Sequence, residues 1–125
     1  TAVIGYPIAP HASIDQIVSC VEQAMVKILR WAMKLSVKVF VCGHSAGGHL
    51  TATLLFVDWK KKYNIDPHTF GGFFPISGVF DLLPLVSTYI NKPLAMTETV
   101  AKHQSPLHRE NEHYYSELKS LPILC

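Results

Sequence analysis

The sequence predicts an α/β fold in which a parallel sheet carries crossover helices. Short apolar runs, several of them rich in β-branched residues, alternate along the chain with amphipathic segments of helical spacing. Turn-forming residues separate these segments, and the order strand, helix, strand is typical of a parallel sheet. No internal repeat, low-complexity tract or linker divides the 125 residues, a length that suits one domain.

The first third of the chain predicts a strand, a long helix and a second strand. Residues 1–6 form a short apolar run followed by prolines, which is typical of a buried strand. Ser13 and Gln16 have the spacing of a capping box, so a helix is expected to begin after Ser13 and to end near Lys34. Residues 37–42 are rich in β-branched side chains, which favours a second strand. The apolar positions with helical spacing are Ile14, Ile17, Val18, Val21, Met25, Ile28 and Leu29.

A second helix and a third strand are expected next. The helix runs from His49 to about Lys61, and Asn64 interrupts its pattern. Residues 69–77 contain an apolar stretch that predicts the third strand, with Gly71-Gly72 as a bend at its entry.

The C-terminal part is less regular. Gly78 and Asp81 are expected to form a turn and a helix cap. Residues 87–120 contain short helical patches between polar turns, and a fourth strand is expected from Leu121 onward. Because the chain begins and ends inside apolar, strand-like runs, we expect it to be a fragment truncated at both ends.

Composition excludes several classes of function. The net charge is only +2, and the one cationic run, Lys60-Lys61-Lys62, falls at a predicted helix end, so we expect no nucleic-acid partner. No apolar stretch reaches about 18 residues, so no membrane span is expected. The three cysteines (Cys20, Cys42 and Cys125) have neither paired nor zinc-ligand spacing, which predicts reduced, mostly buried thiols and no metal site.

The sequence Gly43-His44-Ser45-Ala46-Gly47 is the candidate catalytic motif. It matches the G-x-S-x-G nucleophile elbow, in which a sharp strand-to-helix turn exposes a serine above the sheet of an α/β-hydrolase. The predicted strand before it and helix after it are the context that the motif requires. Ser45 is therefore the candidate nucleophile, the N–H of Ala46 a candidate oxyanion donor, and Gly43 and Gly47 are expected to leave room for the turn. The alternative is a tight turn in which Ser45 only caps the helix.

The partners of the serine are less evident. His44 and His49 flank the elbow and are interpreted as packing or hydrogen-bonding residues. In this fold the acid and then the histidine follow the serine along the chain. Asp81 with His103, His108 or His113 would satisfy that order, but we prefer an acid just beyond Cys125 and a histidine further on. No glycine-rich oxyanion loop precedes the elbow.

Several segments, in a common order, resemble the animal kynurenine formamidases (arylformamidases), which are α/β-hydrolases of tryptophan catabolism in the kynurenine pathway. These segments are Gly5-Tyr6 with Ile8-Ala9-Pro10, Asp15-Gln16, Cys42 to Leu50, Asp58-Trp59, Gly72-Phe73-Phe74, Ser77-Gly78-Val79 with Asp81-Leu82, and Ser105-Pro106-Leu107. The resemblance implies that residues 1–125 are the central part of a single α/β-hydrolase domain. The family's upstream oxyanion loop, its catalytic Asp and its catalytic His have no matching positions here.

The resemblance also implies an activity. It is the hydrolysis of N-formyl-L-kynurenine to L-kynurenine and formate, in the cytoplasm, with Ser45 as nucleophile and without a metal or organic cofactor. A broad carboxylesterase and a non-catalytic, ligand-binding hydrolase-fold protein remain alternatives. The fragment itself is expected to be inactive, because it lacks a complete triad. A homodimer is the assembly to test first for the full-length protein, since dimers are the commonest assembly. Trp59, Phe73, Phe74 and Phe80 are interpreted as core residues before pocket residues.

Overall fold

The computed structural model describes residues 1–109 and 121–123 and has an α/β fold with a small parallel sheet. The main elements are α1 (Ile14–Leu35), β1 (Val39–His44), α2 (Ala46–Thr53), α3 (Trp59–Tyr63), β2 (Phe70–Ile76), α4 (Asn91–Leu94) and α5 (Glu98–His103). Short 3₁₀ helices occupy Leu54–Phe56, Pro67–Thr69, Leu83–Leu85 and Pro106–His108. The α/β class and the parallel pairing predicted from the sequence are confirmed.

Local capping interactions define both ends of the long helix α1. The Ser13 side chain accepts from the backbone N–H of Gln16, and the Gln16 side chain accepts from the Ser13 N–H, which is the predicted capping box. Ser36 ends the helix in the left-handed conformation, with its N–H bonded to the last turn. One face of the helix, including Met25 and Leu29, is buried in the core.

The two strands form the centre of the fold. β1 pairs in parallel with β2, and Val41 lies opposite Phe73 in the register. Both side chains are buried in the main hydrophobic cluster, together with residues of α1 and α2. Trp59 and Phe70 complete this cluster with an edge-to-face ring contact at 5.2 Å between centroids. The interpretation of Trp59 and Phe73 as core residues is therefore confirmed.

The second predicted helix was too long. α2 ends at Thr53, and the chain passes through a 3₁₀ turn before Asp58 caps the separate helix α3 by accepting from the N–H of Lys61. A short polar side chain such as that of Asp58 can cap the start of a new helix, and this competes with continuation of the preceding helix. Here the cap forms, and the preceding helix does not continue. The three lysines do lie in the last turn of α3, as predicted.

The outer predicted strands are wrong or incomplete. Residues 1–6 have no ladder partner within the described chain, although Ile4 and Tyr6 pack on the core, because an apolar run becomes a strand only beside another one. Of the fourth predicted strand, the described residues 121–123 contribute a single parallel bridge, between Ile123 and Phe73, and residues 124 and 125 lie outside the described part.

The Gly71-Gly72 pair is not an entry bend, because both residues lie inside β2. A β-carbon on Gly71 would lie 2.5 Å from the Phe40 ring, so the glycine makes room for that ring.

Cys42 is exposed, contrary to expectation, because it alternates with the buried Val41 along β1. Cys125 lies outside the described residues. Among the described residues, no helix is both long enough and apolar enough to cross a bilayer.

Candidate active site

Ser45 has a backbone conformation that separates it from the other turns of the chain. Five non-glycine residues of the described chain have positive φ. Ser36, Asn64 and Ala95 among them are ordinary left-handed helix ends, with ψ of 39°, 41° and 36°. Ser45 instead has φ 55° and ψ −115°, a sparsely populated combination for a residue with a β-carbon. Such strain persists only where the surroundings hold it, and it is concentrated at functional sites.

Two features place this residue at the carboxyl edge of the sheet. Ser45 follows the last residue of β1, and its N–H donates to the carbonyl of Ile76, the last residue of β2, at 3.0 Å. The residue is exposed, and its side chain makes no capping hydrogen bond to α2. The predicted order of strand, sharp bend and helix is therefore present, and the hydroxyl does not serve as a cap.

The elbow closes tightly on one of its two glycines. A β-carbon on Gly43 would lie 2.2 Å from the Gly47 carbonyl oxygen and 2.7 Å from Thr51 Oγ1. Any side chain at position 43 would therefore push α2 away from β1. Gly47 was also predicted to leave room for the turn by lacking a side chain. This reason is wrong within the described residues, because a β-carbon at position 47 would meet nothing within 4 Å. It is the backbone of Gly47, and not its missing side chain, that approaches Gly43.

A third glycine contact was missed by sequence analysis. A β-carbon on Gly48 would lie 2.7 Å from the Cα of Gly78 and 2.8 Å from the Ile76 carbonyl oxygen. The first turn of α2 thus packs directly on the backbone that follows β2. The sequence did contain one indication of this contact, namely a second glycine, Gly48, directly after Gly47. Its contact partner, Gly78, is distant in sequence.

The first turn of α2 presents hydrogen-bond donors near Ser45. The first N–H groups of an α-helix have no acceptor within the helix, and Ala46 is the first residue of α2. The intrahelical bonding starts with His49, whose N–H donates to the Ser45 carbonyl at 3.0 Å. The Ala46 N–H is thus one of the donors at this helix start that have no acceptor within the helix.

The two flanking histidines have different environments. His49 is buried, and its Nε2 lies 2.7 Å from the backbone carbonyl oxygen of Gln104, so its predicted hydrogen-bonding role is confirmed. Burial lowers the pKa of His49 below the ordinary value of 6.5, and the hydrogen bond to Gln104 partly opposes this. His44 is exposed at the end of β1 and does not pack in the core.

Asp81 pairs with one of the three histidines considered for it. Its Oδ1 lies 3.2 Å from His108 Nε2 and also accepts from the N–H of Leu83 at 3.0 Å. The second bond closes a local turn and is not the predicted helix cap, because Leu82 is the N-cap of the 3₁₀ helix that follows and no side chain caps it. His103 is exposed on α5, and His113 lies outside the described residues. None of the hydrogen bonds found in residues 1–109 joins the Ser45 hydroxyl to a histidine.

A cavity beside the elbow does not identify a substrate pocket. It has a volume of about 920 Å³ and lies between residues 1–6, α1 and the outer edge of β1. It reaches Gly43 and Gly47, but Ser45 is not among its lining residues. The described residues also contain no group of three or more His, Cys, Asp or Glu side chains placed to share a metal ion.

Curated relatives are similar to this chain in sequence. The kynurenine formamidase of Salmo salar is 45% identical over 103 residues, covering 82% of this chain and 34% of that protein. The kynurenine formamidase of Danio rerio is 40% identical over 122 residues, covering 98% of this chain and 39% of that protein. These matches confirm the resemblance to kynurenine formamidases. The chain spans little more than a third of the length of these relatives, and no protein-family model matches it.

A solved structure has a similar fold. It is a crystal structure from Silicibacter sp. described as a candidate thioesterase, with a TM-score of 0.69 and 22% sequence identity. The match covers 96% of this chain and 52% of the other. At this level of identity the likeness concerns the fold alone.

Proposed function

We propose that this chain is the central part of a serine hydrolase of the α/β-hydrolase fold, which hydrolyses N-formyl-L-kynurenine to L-kynurenine and formate. The observation that carries the proposal is the exposed Ser45 with φ 55° and ψ −115° at a strand-to-helix bend. The sequence comparison supports the identity of the substrate, because the relatives that share 40–45% identity with the chain are named kynurenine formamidases. The assignment of residues 1–125 to one such domain is part of the same proposal.

The geometry supports an acyl-transfer reaction. The Ser45 oxygen attacks the formyl carbon, and its proton passes to a general base while the carbonyl oxygen becomes an oxyanion. The Ala46 N–H donates to this oxyanion at the start of α2. The C–N bond then breaks, the arylamine leaves with a proton, and a formyl-serine remains. Water attacks the formyl-serine, releases formate and restores the hydroxyl.

The general base is assigned to a part of the protein outside the described residues. Asp81 already accepts the Leu83 N–H and pairs with His108, so it has a structural role at the turn after β2. We propose that Asp81 and His108 together link the turn after β2 to the 3₁₀ helix Pro106–His108. The acid and histidine of the triad, and a second oxyanion donor, are proposed to come from other segments of the full-length protein.

Substrate and location complete the proposal. The proposed mechanism uses a small-molecule substrate and water, without a metal or an organic cofactor, and includes no nucleic-acid or membrane partner. The cytoplasm is the proposed compartment, by similarity to the family, and a homodimer is the assembly to test first.

The test compares substrates on the full-length protein and on its Ser45→Ala variant. We expect N-formyl-L-kynurenine to be hydrolysed with a higher kcat/KM than short-chain aryl esters, and the variant to lose several orders of magnitude in kcat. A strong preference for esters would favour a broad carboxylesterase over the formamidase. Binding of N-formyl-L-kynurenine without turnover would favour a non-catalytic protein.

A further inference from the structure

We propose that His49 is a positioning residue that holds the strained nucleophile Ser45 through a hydrogen bond to the Gln104 carbonyl. The inference rests on the proposed function, because it assigns Ser45 the role of nucleophile. It concerns a side chain that points into the protein and touches no reacting atom.

His49 is connected to Ser45 through one turn of helix. Its backbone N–H donates to the Ser45 carbonyl at 3.0 Å, which closes the first turn of α2. Ser45 is held from the other side by its own N–H, which donates to Ile76. The orientation of the strained residue therefore depends on where α2 sits relative to the end of the sheet.

The side chain of His49 fixes that position. A carbonyl oxygen only accepts, so His49 Nε2 carries the proton in its 2.7 Å bond to Gln104. Only 3% of the His49 surface is exposed, so bulk water has little access to this bond. The lowered pKa of His49 is consistent with a neutral ring that donates from Nε2.

Gln104 is itself held in place. Its N–H donates to Val100 at the end of α5, and its side-chain Nε2 donates to Asp15 Oδ1 at 2.5 Å. Asp15 lies in the first turn of α1. The hydrogen bonds therefore run from α1 through Gln104 to His49 on α2, and so to the residue that carries the hydroxyl.

A helix that loses this connection can turn slightly about its axis. Such a movement lets Ser45 relax from its strained conformation and moves the Ala46 N–H away from the oxyanion. Misplacement of a reacting group by about 1 Å can cost up to about 100-fold in rate. Contacts between the substrate and the rest of the full-length protein would be little affected, so the loss is expected in kcat and not in KM.

The experiment uses three variants of the full-length protein. His49→Leu removes the donor and places an apolar side chain of similar bulk there, whereas His49→Gln supplies an amide donor at a similar reach. Thr53→Val is the matched control, because Thr53 is equally buried on α2 but donates only to Leu50 of the same helix. We expect His49→Leu to lower kcat about 10- to 100-fold with little change in KM, and to slow labelling of Ser45 by a fluorophosphonate to a similar extent.

Two further results are expected if His49 positions the serine. His49→Gln should recover most of the lost kcat, and Thr53→Val should keep the wild-type kcat even where it lowers Tm. A folded His49→Leu variant with wild-type kcat and labelling rate would overturn the inference. Equal loss of kcat in Thr53→Val at matched Tm would also overturn it. A wild-type protein that is neither labelled at Ser45 nor active would instead contradict the proposed function, and the inference with it.

Discussion

Gly43 and Gly47 face each other across the bend, and a β-carbon on Gly43 would lie 2.2 Å from the Gly47 carbonyl oxygen. The two glycines are equally distant from Ser45 in sequence, yet their environments differ. Gly43 is confined by backbone, whereas the space above Gly47 is open within the described residues. The tightness of the elbow therefore depends on the first glycine of the motif.

Gly43→Ala is expected to destabilise the full-length protein by about 3 kcal/mol, because the contact is with backbone that cannot move aside easily. Gly47→Ala is the matched control, and it should be neutral or up to about 1 kcal/mol stabilising, since alanine favours a helix. Urea unfolding monitored by circular dichroism measures both. Equal losses in the two variants would mean that Gly47 is covered in the full-length protein, contrary to the open space around it within the described residues.

Backbone strain at Ser45 can be measured by comparing two variants that both lack the hydroxyl. Ser45→Ala keeps the β-carbon at φ 55°, whereas Ser45→Gly removes it. Strain of this kind costs about 1–3 kcal/mol, and glycine loses about 0.5–1 kcal/mol more in entropy on folding. We therefore expect Ser45→Gly to be about 1 kcal/mol more stable than Ser45→Ala in urea unfolding. A less stable glycine variant would argue that position 45 is unstrained.

His49 predicts a pH dependence of stability. Burial lowers its pKa in the folded state below 6.5, so the unfolded chain binds more protons as pH falls through that value. The stabilisation from the neutral, buried ring is complete above about pH 6.5 and is lost towards the lower folded-state pKa. The free energy of unfolding should fall between pH 7 and pH 5, and less so in His49→Gln. Identical pH profiles for the two proteins would contradict this assignment.

Much of the local structure could be predicted from the sequence, because its determinants are close together in the chain. The capping box of Ser13 and Gln16 and the elbow around Ser45 each depend on neighbours within a few residues. The contacts that the sequence did not reveal join distant segments. The Gly48–Gly78 approach and the His49–Gln104 bond are of this kind, and no periodicity or propensity indicates which partner each will meet.

A buried carboxylate joins α1 to α3. Glu22 Oε1 accepts from Lys62 Nζ at 2.5 Å and from the Tyr63 hydroxyl at 2.6 Å. The hydrogen bond to Glu22 raises the pKa of Lys62. The Glu22 side chain is only 10% exposed, whereas that of Lys62 is 56% exposed, so solvent screening reduces the energy of the pair.

Lys62→Met should therefore cost about 1 kcal/mol of stability, because it removes one donor from a buried carboxylate. Lys60→Met, the control on the same short helix, changes an exposed lysine and should alter stability by less than about 0.5 kcal/mol. Thermal unfolding of the two variants compares them directly. Equal effects would argue against the Glu22 contact.

The proposed reaction requires Ser45 to become acylated. The most direct measurement is mass spectrometry of the peptide that contains Ser45, after the full-length protein has reacted with a fluorophosphonate. We predict a single modification on Ser45, loss of N-formyl-L-kynurenine hydrolysis in proportion to labelling, and no labelling of Ser45→Ala. An unmodified Ser45 in an inhibited enzyme, or full activity in Ser45→Ala, would contradict this prediction.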